Sequence, residues 1–171
     1  QLIGNGGVTY VNAGKVYNVT DTNELSEIRG NQVTVIATKG NIENIGGKIS
    51  GIESVALVAE NGDIINSSKK VTANYNNGDL DRTTHDSLWS IGEISSGGTT
   101  YIEGNNYFSE AGVLGGKDTI IKVKDNVVIG SLTLKGDDKI GANSDNYEIY
   151  QSTKNIGGVV STENLYITGN N

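Results

Sequence analysis

Cysteine, proline and methionine do not occur in the 171 residues, and tryptophan, phenylalanine and histidine occur once each. Without cysteine there are no disulfides, no thiol catalysis and no zinc–thiolate site. Without proline no interior strand loses a ladder donor, which agrees with extended β-structure. Positive charge is scarce as well: 13 Lys and Arg against 20 Asp and Glu leave a net charge of −7. That balance argues against a nucleic-acid or anionic-membrane binder, which would carry a basic patch. No run approaches the ~20 apolar residues of a membrane-spanning helix. The chain starts at Gln1 without a signal-peptide pattern, and it reads as an internal stretch of something longer.

Gly, at 24, and Asn, at 21, are abundant instead. Hydrophobic residues make up 35%, below the roughly 45–50% of ordinary globular domains. They are nevertheless too many and too evenly spread for a disordered chain. No long window sustains the i, i+3, i+4, i+7 apolar spacing of a helix. Short β-branched runs of period two recur at 33–37, 55–59 and 119–123, bounded by Gly, Asn and Asp, which tolerate turn geometry.

The chain repeats itself. A shift of 22 lays Val33, Val35, Ala37, Gly40, Ile42 and Asn44 on Val55, Leu57, Ala59, Gly62, Ile64 and Asn66. Ile28 falls on Ile49 at a shift of 21, so one turn carries an insertion. A shift of 65 brings Tyr101-Ile102 and Gly104-Asn105-Asn106 onto Tyr166-Ile167 and Gly169-Asn170-Asn171, and Ile94 onto Val159. A step of 19 carries Ile94 to Val113, Ile102 to Ile121 and Phe108 to Val127.

A period of about 19–22 residues with several strands per turn predicts a parallel β-solenoid of roughly seven or eight coils. One coil cannot bury its own apolar stripe, so inward residues of successive coils must stack. The expected core is Val33, Val35, Ile42, Ile49, Val55, Leu57, Ile64, Ile102, Ile121, Val123 and Ile167. Ala37, Ala59 and Gly104 share a repeated position that reads as a tight corner. Tyr101 and Tyr166 share another and are expected to stack as a ladder. Residues 68–90 and 131–155 break the period. Their alternating arms around Asn-Gly and Gly-Asp turns predict two projecting β-hairpins.

The run Asn44-Ile45-Gly46-Gly47-Lys48-Ile49-Ser50-Gly51, with Val55-Ala56-Leu57-Val58-Ala59 and Gly62-Asp63-Ile64-Ile65-Asn66 after it, resembles the filamentous haemagglutinin repeat. This is the pattern of two-partner-secreted exoproteins of Gram-negative bacteria. Residues 94–106, 111–129 and 156–171 look like further coils, and together these pieces cover about four fifths of the chain. Gly104 and Val123 depart from it, standing where the family prefers Ala. The order of coils and hairpin is similar to the second haemagglutinin-repeat region of contact-dependent growth inhibition toxins.

The resemblance implies a right-handed β-helical rod, although the two hairpins are not recognisable in the family pattern. Joined to the repeat length and turn signals, the expected fold is an all-β, right-handed parallel β-helix with about 19–22 residues per coil and two projecting hairpins. The resemblance also implies a rod segment of a secreted surface filament, exported by an outer-membrane two-partner secretion transporter and meeting a target-cell surface. Its task would be contact-dependent toxin delivery or, alternatively, the shaft or contact surface of an adhesin. The location implied is secreted and cell-surface-associated, displayed or held in the periplasm before deployment. No catalytic residue, cofactor or metal comes with the resemblance. End-to-end self-association is expected where coils are left unpaired.

Chemistry in the sequence is thin. His85 stands in Thr83-Thr84-His85-Asp86-Ser87, but adjacency is not the geometry of a Ser–His–Asp triad. Asp79 with Asp81, and Asp137 and Asp138 with Asp145, offer oxygens to calcium without the spacing of an EF-hand. They read as solvated turns. A β-helical polysaccharide-degrading enzyme is the rival from another class. Only Arg29 and Arg82 are present, no stacked pair of carboxylates is visible, and the chain is read as non-enzymatic. Tyr75, Trp89, Tyr147 and Tyr150 lie in or beside the hairpins. They are either contact aromatics or, as the favoured reading, covers for the hairpin bases. Asn105/Asn106 and Asn170/Asn171 read as stacking residues at a turn.

Overall fold

The computed structural model describes residues 1–21, 24–141 and 145–169, with the backbone alone at 82 and 83. Asn170 and Asn171 therefore lie outside the described residues. The class is all-β, with no helix among the described residues.

Parallel strands lie in successive levels. The first holds β1 (Leu2–Ile3), β2 (Val8–Ala13) and β3 (Val16–Val19). The second holds β4 (Glu27–Ala37) and β5 (Ile42–Ile45), and the third β6 (Lys48–Ala59) and β7 (Ile64–Ser67). A hairpin follows, β8 (Lys69–Asn76) and β9 (Leu80–Ser90). The fourth level is β10 (Glu93–Ser96), β11 (Thr99–Gly104) and β12 (Tyr107–Glu110). The fifth is β13 (Val113–Val123) and the start of β14 (Val127–Ile140). The end of β14 turns back as β15 (Glu148–Gly157), and β16 (Val159–Thr168) is the sixth. Six levels stand where the repeat length predicts seven or eight, because the hairpins consume chain without adding a level.

Pairing follows the repeats. Val33 lies opposite Val55, Val35 opposite Leu57 and Ala37 opposite Ala59. Ile42 lies opposite Ile64 and Asn44 opposite Asn66. Ile28 pairs with Ile49, and an irregularity between Gly30 and Gln32 carries the single inserted residue. Ile102 meets Ile121, as the step of 19 predicts.

Two alignments are off by one. Ile94 meets Leu114 rather than Val113, and Phe108 meets Val128 rather than Val127. Val160, not Val159, then continues the Ile94 column through Leu114. A slip of one residue exchanges faces, which is why Leu114 is buried and Val113 only partly so. The tyrosine ladder is also corrected. Tyr101 and Tyr166 share a column, but Ile120 stands between them. The corner at Ala37, Ala59 and Gly104 is less tight than expected, since Val123 occupies the next level.

Side chains from both stacks of parallel strands meet in one apolar cluster. Val33, Val35, Ile42, Ile49, Val55, Leu57, Ile64, Ile102, Ile121 and Val123 are buried in it. Fully burying such a side chain contributes about 1.5–3 kcal/mol. Val16, Ile28, Ile94, Tyr107 and Leu114 join them. Ile167 is not buried in this core: it is 51% exposed, because among the described residues β16 pairs with β13 alone.

The core also contains a polar column. Asn18, Asn44 and Asn66 occupy one register position on β3, β5 and β7, all buried. Asn18 Nδ2 donates to Asn44 Oδ1 at 2.7 Å, and Asn44 Nδ2 donates to Asn66 Oδ1 at 2.8 Å. Asn66 Nδ2 ends the run on the Val113 carbonyl at 2.9 Å. Gly47 passes so close that a Cβ there would meet Asn44 Oδ1 at 2.7 Å. A second, more exposed asparagine contact runs at the turn, where Asn126 Nδ2 donates to Asn106 Oδ1 at 3.0 Å and Asn106 Nδ2 donates to Asp63 at 2.8 Å.

Candidate functional site

Both hairpins form, β8–β9 and β14–β15, each antiparallel. The first turns at Asn77-Gly78 as expected, but Gly136, Asp137 and Asp138 are not a turn: they lie within β14 opposite Ser152, Gln151 and Tyr150, and the chain reverses only beyond Ile140. Asp81 likewise lies in β9. The hairpins do not project separately. β9 pairs antiparallel with β14, Leu80 opposite Ile140 and His85 opposite Gly136, so the order is β8-β9-β14-β15. Beneath them Leu132, Leu134 and Ala111 form a small apolar cluster with Leu88 and Ile156. These aliphatics cover the hairpin bases; of the four aromatics only Trp89 joins them at a base, while Tyr75, Tyr147 and Tyr150 stay about half exposed.

Asp86 ties three of the strands together. Thr72 Oγ1 donates to it at 2.6 Å and Lys70 Nζ at 2.8 Å, both from β8. The Lys135 backbone N–H donates from β14 at 3.1 Å, across 49 residues of sequence. The Asp86 side chain is 3% exposed. Lys70, then Thr72 and the Lys135 amide, hold its carboxyl at about 2, below the usual 3.8. Nothing in the sequence marks Asp86 for this role, because its partner strand is set by how the two hairpins meet.

His85 lies half-covered, with its Nδ1 buried, unbonded and 3.8 Å from Asp138 Oδ2. Ser87 is exposed and Asp86 is committed to β8 and β14, so the three do not converge as a triad. Around Asp79 the turn is closed by Asn77, whose Oδ1 accepts the Asp79 and Leu80 amides at 3.1 and 2.8 Å. Among the described residues no three acidic or histidine side chains converge as metal ligands.

Tyr75, Trp89, Tyr147 and Tyr150 are each about half exposed. Tyr75 and Tyr150 lie on one cross-strand row, through Arg82 and Asp138. The Lys139 ammonium sits 3.7 Å from the centre of the Tyr147 ring, a cation–π contact. Tyr150 donates to Glu148 at 2.5 Å, and this bond raises the phenol above its ordinary value of 10.0.

Trp89 is set apart, at the base of β9. Its indole N–H donates to the Asp21 carbonyl at 3.1 Å, which fixes the ring. With Leu25, Leu88 and Ile91 it forms the apolar side of a cleft of about 500 Å³. Glu27, Lys48 and Glu93, paired across β4, β6 and β10, form the charged side. Lys48 Nζ is 3.1 Å from Glu93. The volume falls within the roughly 300–1,000 Å³ of ligand-sized clefts. The sequence reading singles out Trp89 but not the charged column facing it, which needs the strand register. A surface with one apolar and one charged side can bind. Comparison with family models, with curated proteins and with solved structures finds no match to this chain.

Proposed function

We propose that the chain is a right-handed parallel β-solenoid, a non-enzymatic rod segment of a secreted bacterial surface filament that assists contact-dependent toxin delivery. The observation that carries the rod is one register column. It runs from Tyr10 through Thr34, Ala56, Tyr101 and Ile120 to Tyr166 by parallel pairing alone. Sequential levels that share one core support a rod, since each level buries what its neighbour cannot. The haemagglutinin-like motifs at 44–66 supply the secreted filament, its outer-membrane transporter and its location at the cell surface.

The sheet built from both hairpins gives such a rod a side surface, with aromatics turned to solvent. The Trp89 cleft favours a second reading, the contact surface of an adhesin. An in-frame deletion of this segment from the parent protein, with secretion verified, separates the two. Lost killing of target cells with attachment retained supports toxin delivery. Lost attachment replaces it with adhesion. The enzyme rival is tested by assaying reducing ends and unsaturated products on acidic glycans, where turnover above background would overturn the non-enzymatic reading.

A further inference from the structure

The sheet built from the two hairpins has two outer edges, and they differ. β8 is interrupted twice in its pairing with β9, between Lys69 and Lys70 and between Ala73 and Tyr75. Irregularities of this kind twist an edge and discourage another strand from adding to it. β15 pairs with β14 over ten consecutive residues, Gly157 through Glu148, without a break. Its other edge has no partner strand among the described residues. Nine of its ten residues are exposed. A long, straight, unprotected edge presents a row of free N–H and C=O groups to any matching strand.

β15 matches itself. In an antiparallel pair, opposed residues must both turn their backbone groups toward the partner or both away. Two copies of β15 can therefore oppose only positions an even number apart. Centring the pair on Gln151 places Tyr150 opposite Ser152, Ile149 opposite Thr153 and Glu148 opposite Lys154. Centring it on Tyr150 or on Ser152 loses the Glu148–Lys154 match. Lys154 forms no ion pair among the described residues, so its charge is available. Opposite charges directly across strands are favourable and like charges are not. The two-fold symmetry makes the pair twice over.

We propose that β15 is a homodimerisation edge: two copies of the chain join antiparallel through β15, with Gln151 on the two-fold axis and Glu148 against Lys154 of the other copy. The result is one continuous eight-stranded antiparallel sheet that links two rods side by side. This contact is lateral and independent of any end-to-end stacking of levels.

The absence of cysteine makes the test clean. Directly opposed residues of antiparallel strands have Cα atoms roughly 4.5–5.5 Å apart, inside the ~4.4–6.8 Å window of a disulfide. Gln151→Cys is expected to form a disulfide-linked dimer under mild oxidation, at least tenfold faster than Tyr75→Cys on the β8 edge. By sedimentation, Glu148→Lys is expected to weaken the dimer of the otherwise unaltered chain. Adding Lys154→Glu to that variant is expected to restore it. Unchanged circular dichroism and melting in each variant, whose substitutions lie at exposed positions, exclude unfolding as the cause. The proposal is overturned if Gln151→Cys links no faster than Tyr75→Cys, or if Tyr150→Cys links faster than Gln151→Cys. It is equally overturned if the unaltered chain sediments as a monomer, or if its oligomers ignore Glu148→Lys.

Discussion

Asn44 is the residue whose replacement reveals most about how the core is held. It sits 0% exposed at the centre of the buried asparagine column. It accepts from Asn18 at 2.7 Å, and it donates to Gly47 O at 2.9 Å, Asn66 Oδ1 at 2.8 Å and Glu93 O at 3.1 Å. Asn44→Ala removes all four contacts. Asn18 keeps the Lys48 carbonyl at 3.2 Å, but Asn66 Oδ1 is left buried without this donor. Two or three lost bonds at about 0.5–1.5 kcal/mol each, plus an orphaned polar atom at about 1–3, give a loss of about 2–7 kcal/mol, centred on about 4. For a chain of this size that lowers the melting temperature by about 10 °C.

Asn126→Ala, at the exposed turn, is the control and is expected to stay within about 0.5 kcal/mol. Urea titration followed by circular dichroism measures both. A loss below 1 kcal/mol for Asn44→Ala, or equal losses for the two variants, would refute the buried column as a structural element. Asn44→Asp keeps the shape and the acceptor yet replaces a donor with a buried charge. It is expected to cost at least as much as alanine.

Three further outcomes are expected. Leu57→Asp, at a fully buried position, puts an unpaired charge in the shared core and should abolish cooperative folding; an unchanged melting temperature would contradict the inward assignment. The Asp86 carboxyl is held at about 2 in the folded chain against 3.8 ordinarily, so its stabilisation is complete above about pH 4 and lost as pH falls toward 2. Protection of the β8, β9 and β14 amides, corrected for the intrinsic pH dependence of exchange, should fall over that window more in the unaltered chain than in Asp86→Asn, whereas the same acid profile in both would contradict the tie. The outer edges of β2 and β16 have no partner among the described residues, so light scattering should show concentration-dependent growth beyond a dimer, and a monodisperse species at high concentration would speak against end-to-end association.

The repeat made the parallel register legible before any coordinates. Identical spacing of Val33, Val35 and Ala37 with Val55, Leu57 and Ala59 is itself a statement about which residues face each other. The spacing fails by one at two places: between the strands at Gly97-Gly98 and Gly115-Gly116, which moves Leu114 into the core, and at the turn where Asn105-Asn106 faces the longer Lys124-Asp125-Asn126. Ile167 carries the inward pattern of its column, but burial needs a neighbour on both sides, which sequence periodicity does not report. The first hairpin is legible from its Asn77-Gly78 turn; the second is legible only from its alternating arms, since Gly136-Asp137-Asp138 continues the strand instead of turning it. The union of the two is not legible, because the β9–β14 contact depends on where two unrelated sequences are anchored. The asparagine column was visible as the Asn44–Asn66 alignment, while Asn18 lies one longer turn away. For the contact surface, composition flagged the aromatics, and only register placed Glu27, Lys48 and Glu93 opposite Trp89.

The stacking of levels is best tested by one distance. Tyr10 and Tyr166 are 156 residues apart in sequence but lie in one column, five strand spacings apart. Both side chains are exposed, and the chain has no native cysteine to interfere. Spin labels on Tyr10→Cys and Tyr166→Cys of one chain, diluted into an excess of unlabelled chain so that contacts between copies add no distance, should give one narrow distribution by pulsed dipolar spectroscopy, corresponding to a Cα separation of about 24 Å, five steps of roughly 4.8 Å. A broad distribution, or a narrow one far from that length, would contradict the stack of parallel levels and the rod built on it.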